Sequence, residues 1–225
     1  MRQETSTSHN LDRPNPMQGP LYSFIPAHGG CRAGAVAEQV SRALAEVPGF
    51  SVLLAGFTIQ ESFLWSPADS PRRLDGQTWG ALVFDSRGLE VLDASDVYPH
   101  QLQRVLQYAR NHYRTVCADL TRAKDVQIRE ALRASECIFI VSTSDVVSLE
   151  MAREKKQWLE SLNLGDECGL LMERVQGGVS SERAEDIAGM PMCSLVDHPE
   201  YIERLAGWLA SEETFASDPA YLTVN

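Results

Sequence analysis

The residues best placed to do chemistry lie in one glycine-rich stretch, Pro26-Ala27-His28-Gly29-Gly30-Cys31-Arg32-Ala33-Gly34-Ala35, directly after an apolar run from Leu21 to Ile25. Gly29, Gly30 and Gly34 allow tight turning and close approach of backbone N–H groups to an anion. Apolar residues then recur at Val36, Val40, Ala43, Leu44 and Val47, which is helical spacing. A loop that leads from a strand into a helix offers phosphate both its N–H groups and the positive end of the helix dipole. Arg32 either pairs with such a phosphate or faces solvent. Cys31 sits at the expected helix N-terminus, which lowers a thiol pKa, but no activating partner for it can be named. The same three glycines also suit a tight turn that binds nothing.

The other candidates are sparse. Asp119 ends the apolar run Val116-Cys117-Ala118 and either holds Mg²⁺ or caps the following turn. His28, His100 and His112 form no recognisable cluster, and no HExxH spacing occurs. No Gly-x-Ser-x-Gly elbow supports a hydrolase triad.

The elements that must position these residues alternate between strand and helix. Strands are expected at Leu21–Ile25, Ser51–Leu54, Leu89–Leu92, Val116–Asp119, Cys137–Val141, Gly169–Met172 and Met192–Val196. Helices are expected over Val36–Val47, Pro99–Tyr113, Ile128–Ala134, from Ser144-Asp145 to about Leu162, over Ser180–Ile187, and from Pro199 to about Ala210. Trp79 to Phe84 is ambiguous between the two, and Ser66 to Gly76 reads as loop. Several strands are continuous apolar runs, as in strands buried on both faces. The economical solution is α/β: a doubly wound, mostly parallel sheet with helices on both faces. Residues 1–20 read as a disordered tail, 21–210 as one domain and 211–225 as an acidic tail. The stripe Ile202, Leu205, Ala206 and Leu209, with Trp208, reads as core packing.

Composition narrows the class. The 225 residues carry a formal net charge of −11, which disfavours nucleic acid and anionic lipid. The five cysteines (Cys31, Cys117, Cys137, Cys168, Cys193) form no CxxC pair and read as reduced thiols of a soluble cytoplasmic protein. No 18-residue apolar run and no signal-peptide pattern occur.

The glycine loop resembles that of the deviant Walker A NTPases (MinD, ParA and the pilus-assembly proteins CpaE and TadZ), which runs K-G-G-x-G-K-[ST]-T. Gly29 and Gly30 match the glycine pair and Cys31 the variable position. His28 stands at the signature lysine, Arg32 at a glycine, Ala33 at the phosphate-binding lysine and Gly34 at the magnesium-binding hydroxyl. A second register, Gly29-x4-Gly34, puts Ala35 and Val36 at the Lys and Ser/Thr positions. Both registers lack the amino group that matches phosphate charge and the hydroxyl that holds Mg²⁺. Ser51–Phe57 resembles the second strand without its terminal carboxylate, with Gly56 or a neighbour in that place. Thr115–Leu120 resembles the Walker B strand and keeps Asp119. Ser142–Ala152, STSDVVSLEMA, resembles the T-x-P-D-x-x-S-L-x-x-A segment. Leu171–Arg174 resembles the L-N-R stretch, with Glu173 replacing the asparagine that helps hold adenine. Gly189 to Asp197 resembles the closing strand and loop. The series spans about residues 21–210 and is most similar to the CpaE/TadZ branch.

The resemblance implies a P-loop NTPase-like fold. It places a degenerate nucleotide site at Gly29, Gly30, Cys31, Arg32, Ala33, Gly34, Asp119 and Glu173, with Asp119 the candidate metal ligand. It implies no catalytic residue, no cofactor, and a binding or scaffolding role in pilus assembly, cell division or polar positioning. The expected partner is a protein, with a homodimer possible; membrane targeting is not expected, because 211–225 lacks Lys and Arg. One alternative is weak ATP binding or ATPase activity, with Arg32 and Asp119 as improvised phosphate and magnesium groups. Another is a recombinase-like or cell-division inhibitor module.

Overall fold

The computed structural model describes residues 18–57, 79–80, 82–94 and 97–211. The expected N-terminal tail up to residue 17, the loop at 66–76 and the acidic tail from 212 lie outside the described residues.

The elements in chain order are β1 (Leu21–Pro26), α1 (Ala33–Ala45), β2 (Val52–Gly56), β3 (Val83–Ser86), β4 (Leu89–Asp93), α2 (Pro99–His112), β5 (Thr115–Asp119), α3 (Asp125–Arg133), β6 (Cys137–Thr143), α4 (Val146–Ser161), β7 (Cys168–Glu173), α5 (Ser181–Ala188), β8 (Met192–Leu195) and α6 (Pro199–Ala210). The eight strands form one sheet in the order β3-β4-β2-β5-β1-β6-β7-β8. All neighbours are parallel except β3 and β4, which pair antiparallel. Their tight turn sets Arg87 at φ 56° and Gly88 at φ 84°, the two positive values that a hairpin of this hand requires. The ambiguous run resolves here. Val83 opens β3, while Trp79 is buried, packs against the Tyr108 ring at a 40° tilt with centroids 4.8 Å apart and donates its Nε1–H to Tyr113 Oη at 3.3 Å.

Strand residues alternate between two cores, one on each face. Leu21 and Ile25 of β1, Val116 and Ala118 of β5, and Ile138 and Ile140 of β6 face the first, under α2, α3, α4 and α5. Tyr22, Phe24, Cys117 and Phe139 face the second, with α1 and α6. Burying each large side chain contributes roughly 1.5–3 kcal/mol. The stripe of α6 does pack into this second core. Ser23, inside β1 and fully buried, donates to Ser135 Oγ (2.7 Å), whose own proton goes to Ala131 O. Among the described residues, no helix is long and apolar enough to cross a membrane.

Candidate functional site

Strand β1 lies between β5 and β6 in the middle of the sheet, so the loop Ala27–Arg32 opens at the carboxyl ends of three adjacent strands. Ligands of open α/β sheets bind in this crevice. The loop is stitched down by Ala27 N–H to Val141 O (2.9 Å) and Cys31 N–H to His28 O (3.1 Å).

The His28 ring folds back into its own loop. Gly30 N–H donates to His28 Nδ1 at 3.0 Å, and a Cβ on Gly30 would meet ring atom Cε1 at 2.8 Å. With Nδ1 accepting, a neutral ring carries its proton on Nε2 and donates it to Ser148 Oγ at 3.0 Å. Ser148, buried in the first turn of α4, is a hub. Its oxygen also accepts Thr143 N–H (3.1 Å) and shares a 2.8 Å hydrogen bond with Ser142 Oγ. Ser142 gives its own proton to Thr143 O, so Ser148 must be the donor to Ser142. Cys31 Sγ, also buried, lies 3.7 Å from the same oxygen.

Ala33 and Gly34 begin α1, and Arg32 at its N-cap makes no side-chain capping bond. Asp119, the last residue of β5, leans over this turn. Its Oδ2 lies 2.7 Å from where a Cβ on Gly34 would stand, and its Oδ1 accepts Thr121 N–H (2.9 Å) and Thr121 Oγ1–H (2.6 Å). The carboxylate thus closes the turn after β5.

Arg32 reaches across the loop to Glu173 at the end of β7. Its Nε donates to Oε2 at 3.0 Å and its Nη2 to Oε1, a two-pronged pair. The Arg32 side chain is 59% exposed and that of Glu173 22% exposed. Hydrogen bonding to Glu173, then its charge, raises the Arg32 pKa above its ordinary value.

The STSD segment builds a helix start. Asp145 caps α4, its Oδ1 accepting Ser148 N–H at 2.9 Å and its Oδ2 accepting the Thr143 hydroxyl at 2.6 Å. The Thr143 hydroxyl is the main reason the Asp145 carboxyl sits below the usual aspartate range.

These residues do not fit a magnesium nucleotide. Ala33 and Gly34 supply neither amine nor hydroxyl, Asp119 is bonded to Thr121 and abuts Gly34, and Arg32 is bonded to Glu173. Gly56 ends β2 without a carboxylate, between Asp93 and Asp119 in register. No three His, Cys, Asp or Glu among the described residues are grouped to hold a metal. Two features escaped the sequence reading: the His28–Ser148–Ser142 chain and the Arg32–Glu173 pair. The second had one visible signal, since both partners depart from the resembled pattern.

No family model and no curated protein matches the chain. Solved structures do. The septum site-determining protein MinD complexed with Mg-ADP from Pyrococcus horikoshii superposes with a TM-score of 0.67 at 14% identity, covering 91% of this chain and 100% of that one. A ParA family ATPase from Chlorobium tepidum gives 0.66 at 16% identity, over 84% and 91% of the two chains. The MinC:MinD cell division protein complex of Aquifex aeolicus gives 0.64 at 16%, over 83% and 86%. The chain therefore has the P-loop NTPase-like α/β fold of the MinD and ParA ATPases.

Proposed function

We propose that the chain is a MinD/ParA-type protein, most similar to the CpaE/TadZ branch, that has lost ATP turnover and acts as a binding or scaffolding module. Its work is spatial: it holds a protein partner, with or without a second copy of itself, in pilus assembly, cell division or polar positioning in the cytoplasm. The observation that carries this reading is the first turn of α1. Ala33 and Gly34 stand in place of lysine and hydroxyl, and the Asp119 carboxylate presses to within 2.7 Å of where a Gly34 Cβ would stand. A metal-bridged phosphate needs all three groups facing it. The MinC:MinD complex among the structural neighbours supports a protein partner, and the net charge of −11 argues against nucleic acid.

Calorimetry with ATP and ADP, with and without Mg²⁺, together with a phosphate-release assay, tests it. The expected result is no turnover, and no change in Asp119→Ala. Magnesium-dependent phosphate release abolished by Asp119→Ala would make the chain an ATPase with a rebuilt loop instead.

A further inference from the structure

We infer that Glu173 is an internal latch: its carboxylate takes the Arg32 guanidinium at the mouth of the loop, in competition with a polyphosphate ligand, so the loop admits one only when this pair opens. The inference rests on the reading of the loop as a non-hydrolysing P-loop and adds its regulation.

The geometry is that of a held ligand rather than a chance surface pair. Arg32 leaves the N-terminus of α1, Glu173 ends β7, and β6 lies between β1 and β7 in the sheet. The pair therefore spans the carboxyl end of β6. Glu173 is delivered by fixed backbone. It stands in register with Thr143, and its carbonyl accepts Ser144 N–H at 2.9 Å. The following loop is tied to the same serine, Val175 N–H donating to Ser144 Oγ (2.9 Å) and Val179 N–H to Ser144 O (2.8 Å). A Cβ on Gly178 would meet Ser144 Cβ at 2.8 Å, so only glycine lets this loop close. The next cation, Arg174, is held by Asp197 at 2.7 Å.

The chemistry is competitive. A guanidinium fork binds a carboxylate and a phosphate with the same paired N–H groups. While Glu173 fills the fork, an incoming phosphate chain meets a spent cation and a carboxylate of its own sign. An exposed pair is weak enough to open, and salt weakens it further. The two departures from the resembled pattern, arginine for glycine and glutamate for asparagine, thus compensate one another.

The test is calorimetric titration of the full chain with inorganic pyrophosphate, and separately with ATP, both without Mg²⁺ and at low ionic strength. The proteins are wild type, Glu173→Gln, Glu173→Asn and Arg32→Gln/Glu173→Gln, each checked for folding by thermal melt; the asparagine variant serves if the glutamine one melts early. The expected result is pyrophosphate binding at least about tenfold tighter in Glu173→Gln than in wild type, with the gain lost in the double variant. An equal gain for ATP marks the phosphate chain as the ligand, and a larger one adds the nucleoside; both support the latch. Unchanged affinity in Glu173→Gln, or a gain that survives loss of Arg32, overturns it. ATP turnover by the wild type would sink the scaffolding role but leave the affinity ratio readable, so the two failures are distinguishable.

Discussion

Asp119 and Gly34, at the ends of β5 and the start of α1, are in contact: Oδ2 of the carboxylate lies 2.7 Å from the position of a Cβ on Gly34. Glycine to alanine in a helix ordinarily gains up to about 1 kcal/mol. Here the gain should vanish or reverse in Gly34→Ala and return when Asp119 is also alanine. Urea denaturation of the two single variants and the double should give a coupling of about 0.5–3 kcal/mol. Additive effects would place the carboxylate elsewhere.

Ser148 should matter more than its place on a helix start suggests. Its oxygen receives Thr143 N–H and His28 Nε2–H and gives its proton to Ser142. Ser148→Ala leaves these partners short in a buried setting, and the expected loss is about 1–3 kcal/mol by denaturant titration. His28→Ala, at a half-buried ring, should cost less. Equal losses would mean that the hub is His28 rather than Ser148.

Asp145 makes the start of α4 sensitive to acid. Its carboxyl lies below the ordinary value of 3.8 in the folded chain, chiefly through Thr143, so the unfolded chain takes up the proton first as pH falls. Its contribution is therefore complete above that ordinary value and disappears as pH drops through the lower folded one. Wild type should exceed Asp145→Ala by about 1 kcal/mol at pH 7. The difference should shrink once stability curves are taken below pH 4, and a constant difference would show that the carboxylate charge is irrelevant.

The core thiols should be silent until the chain unfolds. Burial pushes Cys117 and Cys193 up to about 12 and Cys168 to about 11. At pH 8 essentially none of each is thiolate, and the sulfurs are out of reach. A chromogenic disulfide reagent should label none of the three in native buffer and all of them in denaturant, with peptide mapping as the readout. Rapid native labelling of Cys117 would mean that β5 opens locally.

Most of the fold was legible because its signals are local. Continuous apolar runs such as Cys137–Val141 do become central strands, and the 3.6-residue spacing of Val36, Val40 and Leu44 does become the buried face of α1. The β3–β4 hairpin was not legible. Its turn uses Arg87-Gly88 where Asn-Gly would have announced it, and Val83–Ser86 is too short for periodicity to separate strand from helix. In the site, glycine placement was readable but bonding was not. Arg32 and Glu173, 141 positions apart, stand out in one dimension only as two departures from the same pattern and not as partners, and nothing there tells that His28 turns inward to Ser148 rather than outward.

The place of β1 in the sheet also bears on how the chain is made. Leu21 pairs with Val116 and Tyr22 with Cys137, so β1, made before the other described strands, has neither of its sheet neighbours until much of the domain has followed. At roughly 5–20 residues per second that is a wait on the order of ten seconds. During it Leu21, Tyr22, Phe24 and Ile25 face water or a chaperone; the apolar stripe of α1, made next, can shelter Tyr22 and Phe24 on its own side, while Leu21 and Ile25 wait for the helices of the other face.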